Sequence, residues 1–146
     1  MEVYDRFGVS VAVENIEGRY LLIRRSPTDS SPLLLEFPGG KAEFGEDFKA
    51  AAFREVKEET NLELLNFIKI GKYKRLMRDG KRLIDIVLLY SNSYNGEVRL
   101  SNEHSEYKWL DERDIEKKIL SPRSYEVADD VKKFFELKRR KFQGRT

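Results

Sequence analysis

Apolar and polar positions along the chain fall into short strand-like runs on either side of one helical stretch. Phe7 to Val13 (FGVSVAV) is rich in β-branched residues and predicts a strand, closed by a turn over Glu14-Asn15 and Glu17-Gly18. Arg19 to Arg25 (RYLLIRR) predicts the returning strand of a hairpin. Ser26 to Pro32 carries Pro, Ser and Asp without periodicity and reads as loop. Leu33 to Phe37 predicts a short apolar strand that delivers a Pro38-Gly39-Gly40 turn. Leu64 to Tyr73 and Arg82 to Tyr90 predict two more strands, joined across Arg78-Asp79-Gly80-Lys81, an Asp-Gly hairpin signal. The second is the most apolar strand in the chain and is expected to be central, with Asp85 either facing a ligand or ending a buried pair. Asn92 to Gly96 reads as a turn and Glu97 to Leu100 as a short strand. Asp111 N-caps a short helix running to Lys118. A last helix is expected from Tyr125 to Lys141, with Val127, Val131, Phe134, Phe135 and Leu137 as its buried stripe.

Between the glycines and the later strands lies the helical stretch. Asp47 predicts an N-cap, nothing from Phe48 to Thr60 breaks a helix, and Ala50, Ala51 and Ala52 favour one. Asn61 falls where a left-handed C-cap residue is expected. At about 100° per residue, Phe48, Ala52 and Val56 define an apolar arc. Glu55 and Glu59 project into that arc and Glu58 lies on its flank, whereas an ordinary amphipathic helix keeps carboxylates on the far side. Like charges so close raise each other's pKa and cost folding energy unless a cation shares them. An oxygen-only donor set suits Mg²⁺ or Mn²⁺. Exposed backbone amides in the glycine turn, leading into a helix start, add the makings of a site for a metal-bound polyphosphate.

The stretch from Gly40 to Leu62 resembles the Nudix box, Gly-x5-Glu-x7-Arg-Glu-U-x-Glu-Glu-x-Gly-U, where U is a bulky aliphatic residue. Gly40 is followed at the right spacings by Glu46, Arg54-Glu55, Val56, Glu58-Glu59 and Leu62. The one departure is Asn61 in place of glycine, and Asn tolerates the left-handed conformation best after glycine. The resemblance implies a Nudix-like α/β/α sandwich with a mixed sheet between helices, formed by residues 1–146 as one domain. It also implies Glu55, Glu58 and Glu59 as metal ligands with the Gly39 carbonyl, Arg54 holding Glu55 or Glu58, and Glu46 supporting the loop or an outer metal water. Glu103, in the SNEHSEYKWL segment, matches the family's loop glutamate, which serves as general base or additional ligand; Glu106 is the second choice. Arg24 and Arg25 at a strand end, and Lys41 after the glycines, are candidates for substrate phosphate or base. Lys41 does not make a P-loop, because the upstream glycine and the following Ser/Thr are missing.

Composition narrows the function. The chain has 146 residues, 40% of them apolar, which suits one globular core. Lys and Arg (28) nearly balance Asp and Glu (26), so nucleic acid is not the expected main partner. Without cysteine there is no thiol nucleophile or zinc-thiolate site, and the single histidine, His104, leaves a Ser-His-Asp triad or a His-rich metal site without support. No apolar run approaches membrane-spanning length and the N-terminus lacks a signal-peptide pattern, so a cytoplasmic protein is expected, as a monomer or a homodimer.

The expected activity is Mg²⁺-dependent hydrolysis of a nucleoside diphosphate linked to another moiety. The Glu36-Phe37-Pro38-Gly39-Gly40-Lys41 lead-in resembles MutT-type nucleoside triphosphate pyrophosphohydrolases, whereas Leu100 to Leu110 is similar to diadenosine polyphosphate hydrolases. No proline lies between Pro38 and Pro122, so the downstream proline typical of ADP-ribose-cleaving members is absent. A nucleoside triphosphate is the favoured substrate; a nucleotide sugar is an alternative. A non-catalytic nucleotide-sensing Nudix module is the reading from another class, but such members typically lose the box acids, which are all retained here. The basic tail (Lys138, Arg139, Arg140, Lys141, Arg145) reads as a solvated terminus, with assisted RNA-end processing as the other option.

Overall fold

A computed structural model describes residues 6–25, 34–76, 80–121 and 127–143, with the side chains of residue 25 and of 141–143 outside the description. The element order is β1 (Phe7–Val13), β2 (Arg19–Arg25), β3 (Leu35–Glu36), β4 (Gly39–Lys41), α1 (Phe48–Thr60), β5 (Glu63–Leu64), β6 (Ile68–Leu76), β7 (Leu83–Ser91), β8 (Tyr94–Asn95), β9 (His104–Asp111), α2 (Glu112–Leu120) and α3 (Asp129–Gln143). A mixed sheet runs β4-β1-β7-β6, a second runs β3-β2-β9, and β5 pairs with β8. In the first sheet β1 is parallel to β7 and antiparallel to β4. Alternate residues of β1 serve opposite layers. Val9, Val11 and Val13 join the cluster under α1, while Ala12 joins the cluster of α3 and α2. This is the expected α/β sandwich with a mixed sheet between helices.

Local signals set the helices where expected. Asp47 caps α1 by accepting from the Ala50 N–H at 2.8 Å, and Asn61 closes it at φ 71°. Asp111 caps α2. The strands need more correction. β1 and β2 do not form a hairpin: both edges of β1 are taken by β4 and β7, and β2 pairs instead with β3 and β9, leaving one bridge, Glu14 to Tyr20. Gly39 and Gly40 are in a strand rather than a turn, opposite Ser10 and Val9. The strand expected at 64–73 divides into β5 and β6. The short strand expected at 97–100 is replaced by β8, because 99 and 101 donate instead to the Thr60 and Glu59 carbonyls at the end of α1. The last helix starts at Asp129, not Tyr125; Val127 bridges to Leu35, so the chain is still extended there. Residues 26–32, Arg78, Asp79, Pro122, Ser124, Tyr125 and Arg145, about which expectations were drawn, lie outside the described residues.

β7 is central as expected, flanked by β1 and β6. On the other side of the sheet, Phe134 packs edge-on to Phe37, Phe135 and Tyr20, at centroid distances of 5.4, 5.0 and 5.8 Å. It is 1% exposed. Phe134→Ala leaves a cavity that rigid sheet neighbours cannot fill, so a loss of about 3–5 kcal/mol is expected. Urea unfolding with the m-value checked for constancy measures it.

Candidate active site

The buried face of α1 carries Ala51, Ala52, Val56, Glu59 and Thr60. The alanines let the helix approach the glycine strand β4 closely. An added Cβ at Gly40 would lie 2.7–2.8 Å from the Glu55 carboxyl atoms. The Gly39 N–H donates to Glu59 at 3.0 Å. Glu55 and Glu59 hydrogen-bond to each other, one turn apart. Burial raises both pKa values, Glu59 to about 9, against the Gly39 N–H, which favours its ionised form. Glu55 and Glu36 add their negative charge at Glu59. Burial and mutual repulsion therefore both disfavour a doubly ionised pair.

Arg54 ties the surrounding acids together. Its Nε and Nη2 donate to the two Glu46 oxygens at 2.7 and 2.9 Å, and Nη1 to Glu55 at 2.9 Å and Glu58 at 3.1 Å. Nη2 also reaches the Lys41 carbonyl at 3.2 Å. These bonds, to Glu46 first, hold the guanidinium pKa above its usual range, and the Glu46 carboxyl below its own. Glu46 in turn accepts from the Glu43 N–H at 2.7 Å and so fixes the loop before α1.

Not every expected residue joins the cluster. Glu58 is 58% exposed, so two of the three box acids turn inward and the third stays at the rim with Arg54. The angular position of Glu58 on α1, on the flank of the apolar arc, keeps it out of the packed face. Among the described residues no three acidic or histidine side chains converge closely enough to make a ready metal cage. Glu103 is exposed in the turn before β9; two residues earlier the Ser101 N–H donates to the Glu59 carbonyl at 3.1 Å, which docks that turn on the end of α1. Glu106 is engaged by Arg24 at 3.1 Å, which also defines the surroundings of Arg24. Lys41 is exposed at the end of β4, and the Arg25 side chain lies outside the description. Asp85 proves to be a surface group paired with Lys74 at 2.9 Å, not a buried one.

Three groups carry more weight here than the sequence suggests. His104, the single histidine, is buried at the start of β9, 3.2 Å from the Ser101 hydroxyl and 3.9 Å from Glu36. Asp130 is buried at the start of α3 and accepts from the Ser10 hydroxyl at 2.8 Å, the Phe37 N–H at 3.2 Å and the Val131 N–H at 2.8 Å. Desolvation, then the charge of Glu36, push its pKa up to about 7. Glu36 thus stands electrostatically between Asp130 and Glu59. The one signal was Ser10, a polar residue inside an apolar strand, which requires a buried partner.

The pKa shifts give a signed prediction. An acid whose folded pKa lies above its unfolded value binds more protons folded, so its stabilisation is complete below the unfolded pKa and drains as pH rises to the folded one. For Glu59 that window runs from 4.5 to about 9, and for Asp130 from 3.8 to about 7. In EDTA, Tm is expected to fall by roughly 5 °C or more between pH 5.5 and 8.5, and millimolar Mg²⁺ is expected to restore most of it at pH 8.5. Scanning calorimetry at both pH values checks it.

A sandwich that sets a helix-borne carboxylate pair against a glycine strand, with an arginine fastening the loop between them, is the architecture of a phosphate-handling hydrolase. A model of the NUDIX domain matches residues 5–131, and the chain belongs to the Nudix family. It is 27% identical over 117 residues to the uncharacterised Nudix hydrolase YvcI of Bacillus subtilis, covering 73% of this chain and 74% of the relative. It is 26% identical over 145 residues to an RNA pyrophosphohydrolase of Pelagibacter ubique, covering 87% and 89%. The crystal structure of a MutT protein from Methanosarcina mazei superposes with a TM-score of 0.77 at 24% identity, over 100% of this chain and 99% of that one. The protein is a Nudix hydrolase, a class acting on pyrophosphate bonds, and such enzymes generally use divalent metal ions and small nucleotide substrates. Among the described residues no helix is long and apolar enough to cross a membrane.

Proposed function

We propose that this protein hydrolyses a nucleoside triphosphate to the monophosphate and pyrophosphate, with Mg²⁺ or Mn²⁺ as cofactor. The observation that carries the reading is the inward-facing, hydrogen-bonded Glu55–Glu59 pair, pressed on Gly39 and Gly40. Two desolvated carboxylates with raised pKa values and an all-oxygen donor set fit a hard divalent cation. Glu55 and Glu59 would hold it, with Glu58 from the rim and the Gly39 carbonyl. When bound, such an ion supplies charge neutralisation to the phosphate oxygens and activates water.

The chain's own groups do the rest. Arg54 positions Glu55 and Glu58 through one nitrogen, so a change at either is felt at the other. Glu103 takes the proton of the attacking water or adds a ligand, Glu106 being committed to Arg24. Lys41, beside Gly40, meets a phosphate as a point charge. Arg24 and Arg25 are the further candidates for substrate contact. A cavity of about 300 Å³ between β6 and the start of α3, lined by Tyr73, Arg75, Asp129 and Lys132, is the candidate pocket for the nucleoside. Tyr73 lines it, and its hydroxyl is buried with no close hydrogen-bond partner among the described residues.

A panel of nucleoside triphosphates, diadenosine tetraphosphate, ADP-ribose, nucleotide sugars and 5′-triphosphorylated RNA, assayed with Mg²⁺ and Mn²⁺, tests the proposal. Monophosphate and pyrophosphate from a triphosphate are expected at the highest kcat/KM. A higher value for the dinucleotide or RNA replaces the substrate. Binding across the panel with no turnover replaces the enzyme by a nucleotide sensor.

A further inference from the structure

The sheet face under α1 bears a second cavity, on the side opposite the nucleoside cleft. α1 packs on β1 and β4, and beyond it β6 and the outer part of β7 are left open. The space is about 500 Å³, floored by Phe7, Leu83 and Val87 and bounded by Phe48. Its charged groups are Arg6, Lys69, Lys72 and Lys74 against Asp47 and Asp85. Both acids are occupied: Asp47 caps α1, and Asp85 lies 2.9 Å from Lys74 and 3.9 Å from Lys72. Four cations face two carboxylates, so the groove is positive although the chain as a whole is close to neutral.

The lysines share this face because of a bulge. The register of β6 shifts between Lys69 and Gly71. Ile70 joins the α3 cluster and Gly71 faces Leu137 of α3, where a Cβ would come within 2.8 Å. The extra residue returns Lys69 to the side of Lys72 and Lys74. Beside the lysines runs an aromatic strip. Lys69 Nζ lies 6.0 Å from the Phe48 ring, Phe48 packs on Phe67 at 6.4 Å, and Phe67 on Phe53 at 5.2 Å. Phe53 and Ile68 are 41% and 57% exposed.

We propose that this groove docks a single-stranded nucleic-acid segment, independently of the hydrolytic site. A row of cations tracks a phosphate backbone, and the exposed Phe53 ring, backed by the half-buried Phe67 and Phe48, gives a base a stacking surface. An acidic peptide would answer the charge but leave the rings without a role.

The test is fluorescence polarisation of the full chain with a labelled 5′-hydroxyl RNA of about 12 nucleotides, a length that spans one such groove. Having no pyrophosphate, this probe reports docking whatever the enzyme's substrate proves to be. Binding that weakens steeply with salt is expected. Lys69→Glu with Lys72→Glu should weaken it at least about 10-fold and flatten the salt dependence, with mononucleotide turnover within about twofold of wild type. Phe53→Ala should weaken it with the salt slope unchanged. No binding by the wild type, or equal binding by the double variant, overturns the proposal. So does displacement by polyglutamate as effective as by RNA together with an inert Phe53→Ala, which would assign the groove to an acidic protein.

Discussion

Glu59→Gln is expected to lower kcat by about 100-fold or more while making the metal-free protein more stable at alkaline pH. The two effects have one cause. Glutamine is nearly isosteric, its oxygen can still accept from the Gly39 N–H, and its amide can donate to Glu55, so the packing of α1 on β4 survives. What disappears is a carboxylate that burial makes costly to ionise. In EDTA the variant should therefore lose most of the fall in Tm between pH 5.5 and 8.5, and Mg²⁺ should stabilise it less than it does the wild type. Glu58→Gln is expected to lower kcat by a similar factor with no such change in stability, since its carboxylate is exposed and exchanges little solvent on folding. Steady-state kinetics across a Mg²⁺ titration, paired with thermal unfolding in EDTA, separates these outcomes. Wild-type turnover in both variants would remove the metal assignment, whatever the Tm values.

The difference between Glu58 and Glu59 also shows how far the sequence reaches. Helix α1, its Asp47 cap and its Asn61 terminus follow from residues within a turn or two of each other, and they were legible for that reason. The angular positions of Glu55 and Glu59 were equally local. The flanking position of Glu58 was legible in the same way, but that Arg54 reaches over four carboxylates, Glu43, Glu46, Glu55 and Glu58, is encoded by no periodicity. Strand pairing was less legible still. β1 and β2 are consecutive and carry a turn between them, but hydrogen bonding from β7 and β4 outcompetes the local hairpin. Asp129-Asp130 reads as two acids favoured by a helix start. Only tertiary packing distinguishes them, exposing Asp129 and burying Asp130 on Ser10 and Phe37.

Adjacent glycines provide the second large effect, and substituting each by alanine is expected to fail in a different way. At Gly39 a Cβ would fall 2.0 Å from the Val9 carbonyl oxygen and 2.9 Å from the Ser10 Cα, both of them backbone. Neither can yield without separating β4 from β1, so Gly39→Ala should lower Tm by roughly 10 °C or more, or yield insoluble protein. At Gly40 the obstacle is the Glu55 carboxyl group, the far end of a flexible side chain. Gly40→Ala should fold, with Tm within a few degrees of wild type, because Glu55 can swing aside. Doing so breaks its 2.9 Å bond to Arg54 and its bond to Glu59, and a cation would lose one of its two buried ligands. A loss of about 10–100-fold in kcat/KM is expected, partly recovered at high Mg²⁺. Should Gly40→Ala instead keep wild-type kinetics at limiting Mg²⁺, the Glu55 position would be immaterial to the cation, and Glu59 would have to hold it with Glu58, Glu103 and the Gly39 carbonyl.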